Sequence, residues 1–293
     1  MPTLTTQQLT ATLADALHAC YSAPEAQAIA ALVTEELLHL SPLQRRMQAA
    51  APVPAGVQAR LPALQARLLT HEPVQYVLGT AHFAGMALAV TPATLIPRPE
   101  TEELAQLIER EYAGRQGLRL LDVGTGSGCL VLALARALRP TLALAVDISA
   151  EALAVARRNA ATYAPEVQFE QLDILTETPS TVPPGSLDLL ASNPPYVQAS
   201  ERPAMRENVL AWEPATALFV PDHDPLLFYR RLAALAADLL RPGGQVWLEI
   251  NEALGAETAA LFRTAAFEQV VVLPDFLGRT RFVRAVRAGN SNS

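Results

Sequence analysis

The sequence has no lysine: all 22 basic residues among its 293 positions are arginine. That excludes Schiff-base chemistry on a lysine amine and the lysine-dependent phosphate grip of a P-loop. Cysteine is nearly as scarce. Cys20 and Cys129 are too few and too far apart for a disulfide framework or a zinc site, so no metal is expected and both thiols are read as reduced. No apolar run reaches the roughly 18 residues that a membrane-spanning helix needs. The start of the chain lacks a basic segment followed by an apolar one, which predicts no signal peptide and a cytoplasmic protein. Positive charge is also in deficit. The net charge of −7 argues against broad binding to a phosphate backbone, so neither direct nucleic-acid binding nor membrane association is expected.

What is present is apolar and regularly patterned. With 51% hydrophobic residues the chain can build one large or two modest cores. Residues 1–72 read as helical. Leu9, Leu13, Leu17 and Cys20 recur at helical spacing, and Pro24 opens a second helix with Ile29, Leu32, Val33, Leu37 and Leu40 on one face. Ser41-Pro42 starts a third, Pro52, Pro54 and Gly56 break it, and a last helix runs from about Val57 to Leu69. His18, His39 and His71 stand alone and read as structural or surface residues. With no acid, base or metal cluster, this part is expected to be a docking or bracing module.

Residues 73–96 change texture. The segments from Phe83 to Val90 and on to Leu95, with Gly85, Thr91 and Pro92 as turn formers, predict a β-hairpin linker. The third segment, residues 97–293, starts on Pro97-Arg98-Pro99, a rigid approach to a helix near 100–112. Glu100, Glu102 and Glu103 suit the N-terminal end of that helix.

From Leu118 strands and helices alternate, the pattern of a parallel sheet covered on both faces. Strands are expected at Leu118–Val123, Leu142–Val146, Val167–Leu172, up to Asn193, and at Gln245–Ile250. Helices are expected near Gly128–Leu138, Ala150–Ala161, Asp224–Leu240 (with Asp224 as N-cap and Pro225 as first residue) and 254–265. Gln269–Leu273 and Arg281–Val286 are expected to form a closing antiparallel pair, and Gly289–Ser293 reads as a frayed tail.

Two motifs carry chemistry. Asp122-Val123-Gly124-Thr125-Gly126-Ser127-Gly128 lies between a strand and a helix, where glycines let the backbone approach a ligand closely. A nicotinamide dinucleotide fingerprint is G-x-G-x-x-G. Here the third glycine comes one residue early and Cys129 takes the place it would need. The pattern suits a nucleoside with an amino-acid tail. Asp147, ending the next strand, can accept from both ribose hydroxyls. Asp173, past the third strand, can accept from an adenine amino group while Ile174 packs on the base. The second motif is Asn193-Pro194-Pro195-Tyr196 at the end of the fourth strand. Two prolines remove two backbone donors and stiffen the corner. The Asn193 side-chain oxygen and the Pro194 carbonyl remain as acceptors, and Tyr196 adds a flat face, so a planar –NH2 group fits.

Together these residues resemble the class I S-adenosylmethionine-dependent methyltransferases, and the tetrapeptide is similar to that of enzymes acting on planar amino groups: adenine and cytosine in DNA, guanine in RNA, or glutamine. The blocks Glu72–Gly79, Phe83 with Gly85, and Leu95–Glu102 resemble those of the bacterial peptide chain release factor glutamine methyltransferases. So do Asn159-Ala160, Trp212-Glu213-Pro214, Phe228–Arg231 and Arg241–Gly244. Asn251–Gly255 and Ala266-Phe267 depart from that family's usual turns.

The resemblance implies an α/β Rossmann-like fold with a mostly parallel seven-stranded sheet after a helical domain. It implies S-adenosylmethionine as cofactor, bound by Asp122, Gly124, Thr125, Gly126, Ser127, Gly128, Asp147, Asp173, Ile174 and Asn193. It implies Asn193, Pro194 and Tyr196 in catalysis, with Pro195 among the substrate contacts. The acceptor it implies is the glutamine of the Gly-Gly-Gln motif in release factors. Rival readings are an amino-group methyltransferase for a ribosomal-protein glutamine or a nucleobase, a nicotinamide oxidoreductase, and a non-catalytic binding module.

Overall fold

Capping boxes start two of the chain's first three helices. The Thr5 hydroxyl accepts from the Gln8 N–H at 3.3 Å while the Gln8 side chain accepts from the Thr5 N–H at 2.9 Å. Ser41 and Gln44 repeat the exchange. The computed structural model describes residues 4–265 and 267–289. Ala266 and residues 290–293, on which a turn departure and most of the expected tail fall, lie outside the described residues. The chain divides into two units: Met1–Thr80 with Arg206–Trp212, and Ala81–Met205 with Glu213–Ser293.

The first unit holds α1 (Thr6–Leu17), α2 (Ala23–Leu38), α3 (Pro42–Met47), α4 (Ala55–Leu68) and α5 (Val74–Leu78), and from further along the chain the helix Glu207–Trp212. Leu13, Leu17, Ala30, Val33, Leu37, Leu64, Leu68 and Val77 form its core. Arg67, at the end of α4, joins it to α5. Its guanidinium pairs with the buried Glu72 carboxylate and also donates to the Tyr76 and Val77 carbonyls at 3.0 Å each. Those carbonyls lie in the last turn of a short helix, where intrahelical donors run out.

The hairpin pairs β1 (Thr80–Phe83) with β2 (Met86–Ala89) through Ala84 and Gly85, both at positive φ. It ends sooner than the sequence texture suggests. The segment after it closes a separate turn in which the Thr94 N–H donates to Thr91 O. The first part of the expected linker is α5, a helix too short to show periodicity.

Next come α6 (Pro99–Glu111), β3 (Arg119–Val123), α7 (Cys129–Leu138), β4 (Leu142–Asp147), α8 (Ala150–Tyr163), β5 (Gln168–Gln171) and β6 (Leu187–Ser192). After these lie β7 (Val197–Gln198), α9 (Glu207–Trp212), α10 (Ala215–Leu218), β8 (Phe219–Val220) and α11 (Leu227–Leu239). The chain closes with β9 (Leu240–Glu249), α12 (Gly255–Thr264), β10 (Phe267–Pro274) and β11 (Thr280–Arg287). The seven-stranded sheet has the order β10-β11-β9-β6-β3-β4-β5. It is parallel from β9 to β5, and β11 and β10 close it antiparallel.

The strands read as near-continuous apolar runs because both faces are covered. Leu120 and Leu121 are neighbours in sequence yet serve different cores: Leu120 packs with Leu104, Ile108 and Leu134, and Leu121 with Tyr229, Leu232 and Phe262. The strand order reverses at β3, with β4 on one side and β6 on the other. Ligands bind outside the carboxyl ends of strands at such a reversal. Both chemistry-bearing motifs sit there, at the ends of β3 and β6.

One expected helix start is displaced. Asp224 does not cap α11, which begins at Leu227. Its carboxylate instead accepts from both terminal guanidinium nitrogens of Arg230 at 2.9 Å each, a bidentate pairing that outcompetes a single capping bond. The expected strand at Gln245 begins earlier, at Leu240, which pairs with Leu187 across a register shift that takes in Pro242–Gly244; the remaining ends differ from expectation by a few residues, as fraying ends do. The short elements β7, α9, α10 and β8 had no periodic signature in the sequence.

Candidate active site

The glycines after β3 divide into two kinds. Gly124 and Gly126 lie at positive φ, and a Cβ on either would meet nothing within 4 Å. They leave a cradle open at the end of the strand. Gly128 also has positive φ, +83°, but a Cβ there would lie 3.3 Å from the Ala156 and Leu132 side chains. Its task is to let α7 start against α8.

The cradle opens into a cavity of about 360 Å³, within the usual size range for small-molecule sites. Gly124, Gly126, Asp147, Asp173, Ile174, Asn193, Pro194 and Pro195 all line it. A smaller adjoining cavity is lined by Asp122, Thr125 and Ser127, and shares Gly124, Gly126 and Asn193 with the first. Gly128 and Tyr196 line neither.

Each acidic side chain is held. Asp147 accepts from the Gly126 N–H at 2.8 Å through one oxygen and from the Ser149 N–H at 2.9 Å through the other. Burial raises its pKa, and those backbone donors work against the rise. Each carboxylate oxygen keeps a lone pair for a ligand hydroxyl. Asp122 is almost fully buried, and its carboxylate accepts from the Thr125 hydroxyl at 2.7 Å. Burial pushes its pKa up to about 7. Asp173 accepts from the Leu175 N–H at 2.9 Å.

At the tetrapeptide the Asn193 side-chain Nδ2 donates to Thr101 Oγ1 at 3.0 Å, and Thr101 Oγ1 donates to Glu249 Oε2 at 2.7 Å. The other oxygen of Glu249 accepts from the Tyr196 hydroxyl at 3.0 Å. Burial raises the pKa values of both Glu249 and Tyr196, so Tyr196 stays a neutral donor. Among the described residues, no donor reaches Asn193 Oδ1 or the Pro194 carbonyl. Both acceptors the sequence pointed to are therefore available to a ligand.

Sequence reasoning missed several contributors. Thr101 and Glu249 lay in recognised stretches without an assigned task. Glu213 is buried and accepts from the Ile96 N–H at 3.2 Å and from Arg98 at 2.6 Å, which ties down the approach to Asn193. Asn159 accepts from the Ala89 N–H at 2.7 Å and donates to Ser127 O at 2.9 Å, so it braces the glycine loop against the strand after the hairpin turn. Ile148 is 56% exposed and lines the cavity beside Asp147, with Phe219 and Phe228 also on the wall. An apolar residue following the acidic strand end was the available signal for Ile148.

Residues 115–249 match the family described as "Methyltransferase domain", and residues 8–79 match "PrmC N-terminal domain". The chain is 40% identical over 280 residues to the release factor glutamine methyltransferase of Bacteroides thetaiotaomicron, covering 96% of this chain and 99% of that one. It is 35% identical over 266 residues to the enzyme of the same name from Deinococcus radiodurans, covering 91% and 93%. Among solved structures, a methyltransferase from Pyrococcus furiosus matches with a TM-score of 0.51 at 20% identity, over 77% of this chain and 98% of that one. That last likeness concerns the fold alone. Among the described residues, no helix is long and apolar enough to cross a membrane and no acidic, histidine or cysteine cluster could hold a metal.

Proposed function

The chain belongs to the release factor glutamine methyltransferases, and from that premise we propose how this site methylates the side-chain amide of the Gly-Gly-Gln glutamine in peptide chain release factors. The observation that carries the reading is the pair of unengaged acceptors, Asn193 Oδ1 and the Pro194 carbonyl, at the mouth of a cradle that fits a nucleoside.

The residues present fit S-adenosylmethionine. Asp147 holds its ribose hydroxyls. Asp173 and Ile174 take the base edge and face, joined by the exposed Ile148. The open cradle of Gly124–Gly126, with Thr125, Ser127 and the Asp122 carboxylate, takes the cationic amino-acid tail. Gly128 contributes the start of α7, not a contact. When bound, the cofactor supplies an electrophilic methyl group on a positively charged sulfur.

The chain's own residues supply orientation. An amide nitrogen is a poor nucleophile because its lone pair is delocalised into the carbonyl, and deprotonating it first is prohibitive near neutral pH. Asn193 and Pro194 each accept one N–H of the acceptor –NH2, which fixes its plane and draws electron density towards nitrogen. Pro195 stiffens that corner. Tyr196 anchors it through Glu249. The proton departs to solvent after transfer, so no strong base is needed. Orientation of this kind is worth roughly 7–11 kcal/mol in favourable cases, and preorganised dipoles add to it. The first unit carries none of this chemistry and serves to dock the protein substrate. Release factors act in translation, which puts the enzyme in the cytoplasm, with no direct binding of nucleic acid or membrane.

Mixing enzyme, release factor and S-adenosylmethionine should add the mass of one methyl group to the Gly-Gly-Gln glutamine, located by peptide mass spectrometry. Replacing that glutamine should abolish the label. Transfer to DNA, RNA or a ribosomal protein, with none to release factor, would overturn the assignment.

A further inference from the structure

A primary amide fills almost the same space in either of its two flipped orientations, which differ in which end donates and which accepts. For Asn193 the difference is decisive. An acceptor –NH2 has only N–H bonds to offer, so Asn193 must face it with oxygen. Turned the other way, its own –NH2 would confront the substrate's and leave both sets of donors unpaired.

The chain of bonds behind Asn193 selects one orientation. Glu249 is 1% exposed and lies at the end of β9, whose Leu248 pairs with Ser192 of β6. As a carboxylate it only accepts. Burial raises its pKa, and the Thr101 and Tyr196 hydroxyls it accepts from, together with the charge of Arg281, work against the rise. The single hydroxyl proton of Thr101, in the first turn of α6, is committed to Glu249 Oε2 at 2.7 Å. The Thr101 lone pairs are then what faces Asn193, 3.0 Å from its Nδ2. Only the –NH2 end of Asn193 satisfies them, which turns Oδ1 away from Thr101. The same carboxylate takes the Tyr196 hydroxyl proton at 3.0 Å. Both ends of the tetrapeptide are thus tied to one buried group. A buried carboxylate is a costly way merely to fill space, since an apolar side chain of similar volume packs there at lower cost.

We propose that Glu249 and Thr101 are positioning residues that set the polarity of the Asn193 amide, holding its oxygen towards the acceptor nitrogen. The proposal rests on the reading of Asn193 as the grip on the substrate amide, and it adds the device that makes the grip one-handed.

The test uses the full chain with Thr101→Val, which keeps the shape and removes the hydroxyl, Thr101→Ser, which keeps the hydroxyl, and Glu249→Gln, which removes the acceptor-only carboxylate. Thr101→Val and Glu249→Gln should lower kcat on release factor at least about tenfold, equivalent to one lost hydrogen bond of about 1.4 kcal/mol. Affinity for S-adenosylmethionine, measured by calorimetry, should stay within about twofold. Thr101→Ser should stay close to wild type. A second readout needs no acceptor: the Asn193 side-chain N–H signals, followed by NMR, should be protected from hydrogen exchange in wild type and Thr101→Ser and exposed in Thr101→Val. Unchanged kcat in Thr101→Val, an equal loss in Thr101→Ser, or unaltered exchange protection would each overturn the proposal. Failure of the wild-type enzyme to label release factor would instead count against the functional reading, and the exchange arm would still decide the polarity.

Discussion

A carboxyl group whose pKa sits near neutrality in a cofactor pocket makes Asp122 a residue with opposed duties. Its folded-state value of about 7 lies above the ordinary 3.8. The folded state therefore holds the proton more tightly than the unfolded state. This group costs no stability below about pH 3.8. The cost grows as pH rises through the interval and is complete above about 7. Asp122→Asn keeps an acceptor for the Thr125 hydroxyl and removes the charge. It should raise the melting temperature of the cofactor-free enzyme more at pH 8 than at pH 5. Binding of the cationic cofactor should strengthen in wild type as pH passes 7 and lose that dependence in Asp122→Asn, with calorimetry of both proteins as the check. The cofactor's own amino group titrates near 8, and comparing the two proteins cancels it. An identical pH dependence would remove Asp122 from the cofactor's surroundings.

The loop from β3 into α7 shows, at the scale of an element, how one repeated residue does two jobs. Gly126→Ala adds a Cβ that meets nothing in the protein but points into the cradle. Gly128→Ala adds one that presses on Ala156 and Leu132 at 3.3 Å. Both pay the left-handed backbone penalty of about 1–2 kcal/mol. Gly128→Ala should therefore lose about 1–3 kcal/mol of stability in denaturant unfolding, with cofactor affinity little changed once folded. Gly126→Ala should lose less stability and more cofactor affinity. The reverse order would mean the cradle is not where the ligand lies. The motif's identity and its place between strand and helix were legible in the sequence, because glycine spacing and apolar runs are local. The division of labour was not, because it depends on α8, which packs on the loop from further along the chain. The run from β7 to β8 was illegible for another reason. Its elements are two to six residues long, too short for either period to declare itself.

At the scale of the whole molecule, two compact units imply two separable tasks. The second unit, starting at Ala81, contains the sheet, both of its cores and every cavity-lining residue. A chain of residues 81–293 should bind S-adenosylmethionine with near-normal affinity while methylating intact release factor poorly, read by calorimetry and labelled-methyl transfer side by side. Full transfer activity would remove the docking role from the helical unit.

The α/β architecture and the chemistry of a planar –NH2 acceptor were determined by the sequence alone. Periodicity, turn residues and the acids that end successive strands are properties of short segments, and their order along the chain carries over to a parallel sheet. Only the tertiary structure decided which groups answer one another. Thr101 meets Glu249 across 148 positions, and Glu213 reaches Arg98 across 115. The first follows from α6 packing on β9 beside β6, and the second from the chain before α10 meeting the chain before α6, relations that no local pattern encodes. The orientation of the Asn193 amide depends on them, because a side chain with two nearly isosteric ends takes its polarity from its neighbours.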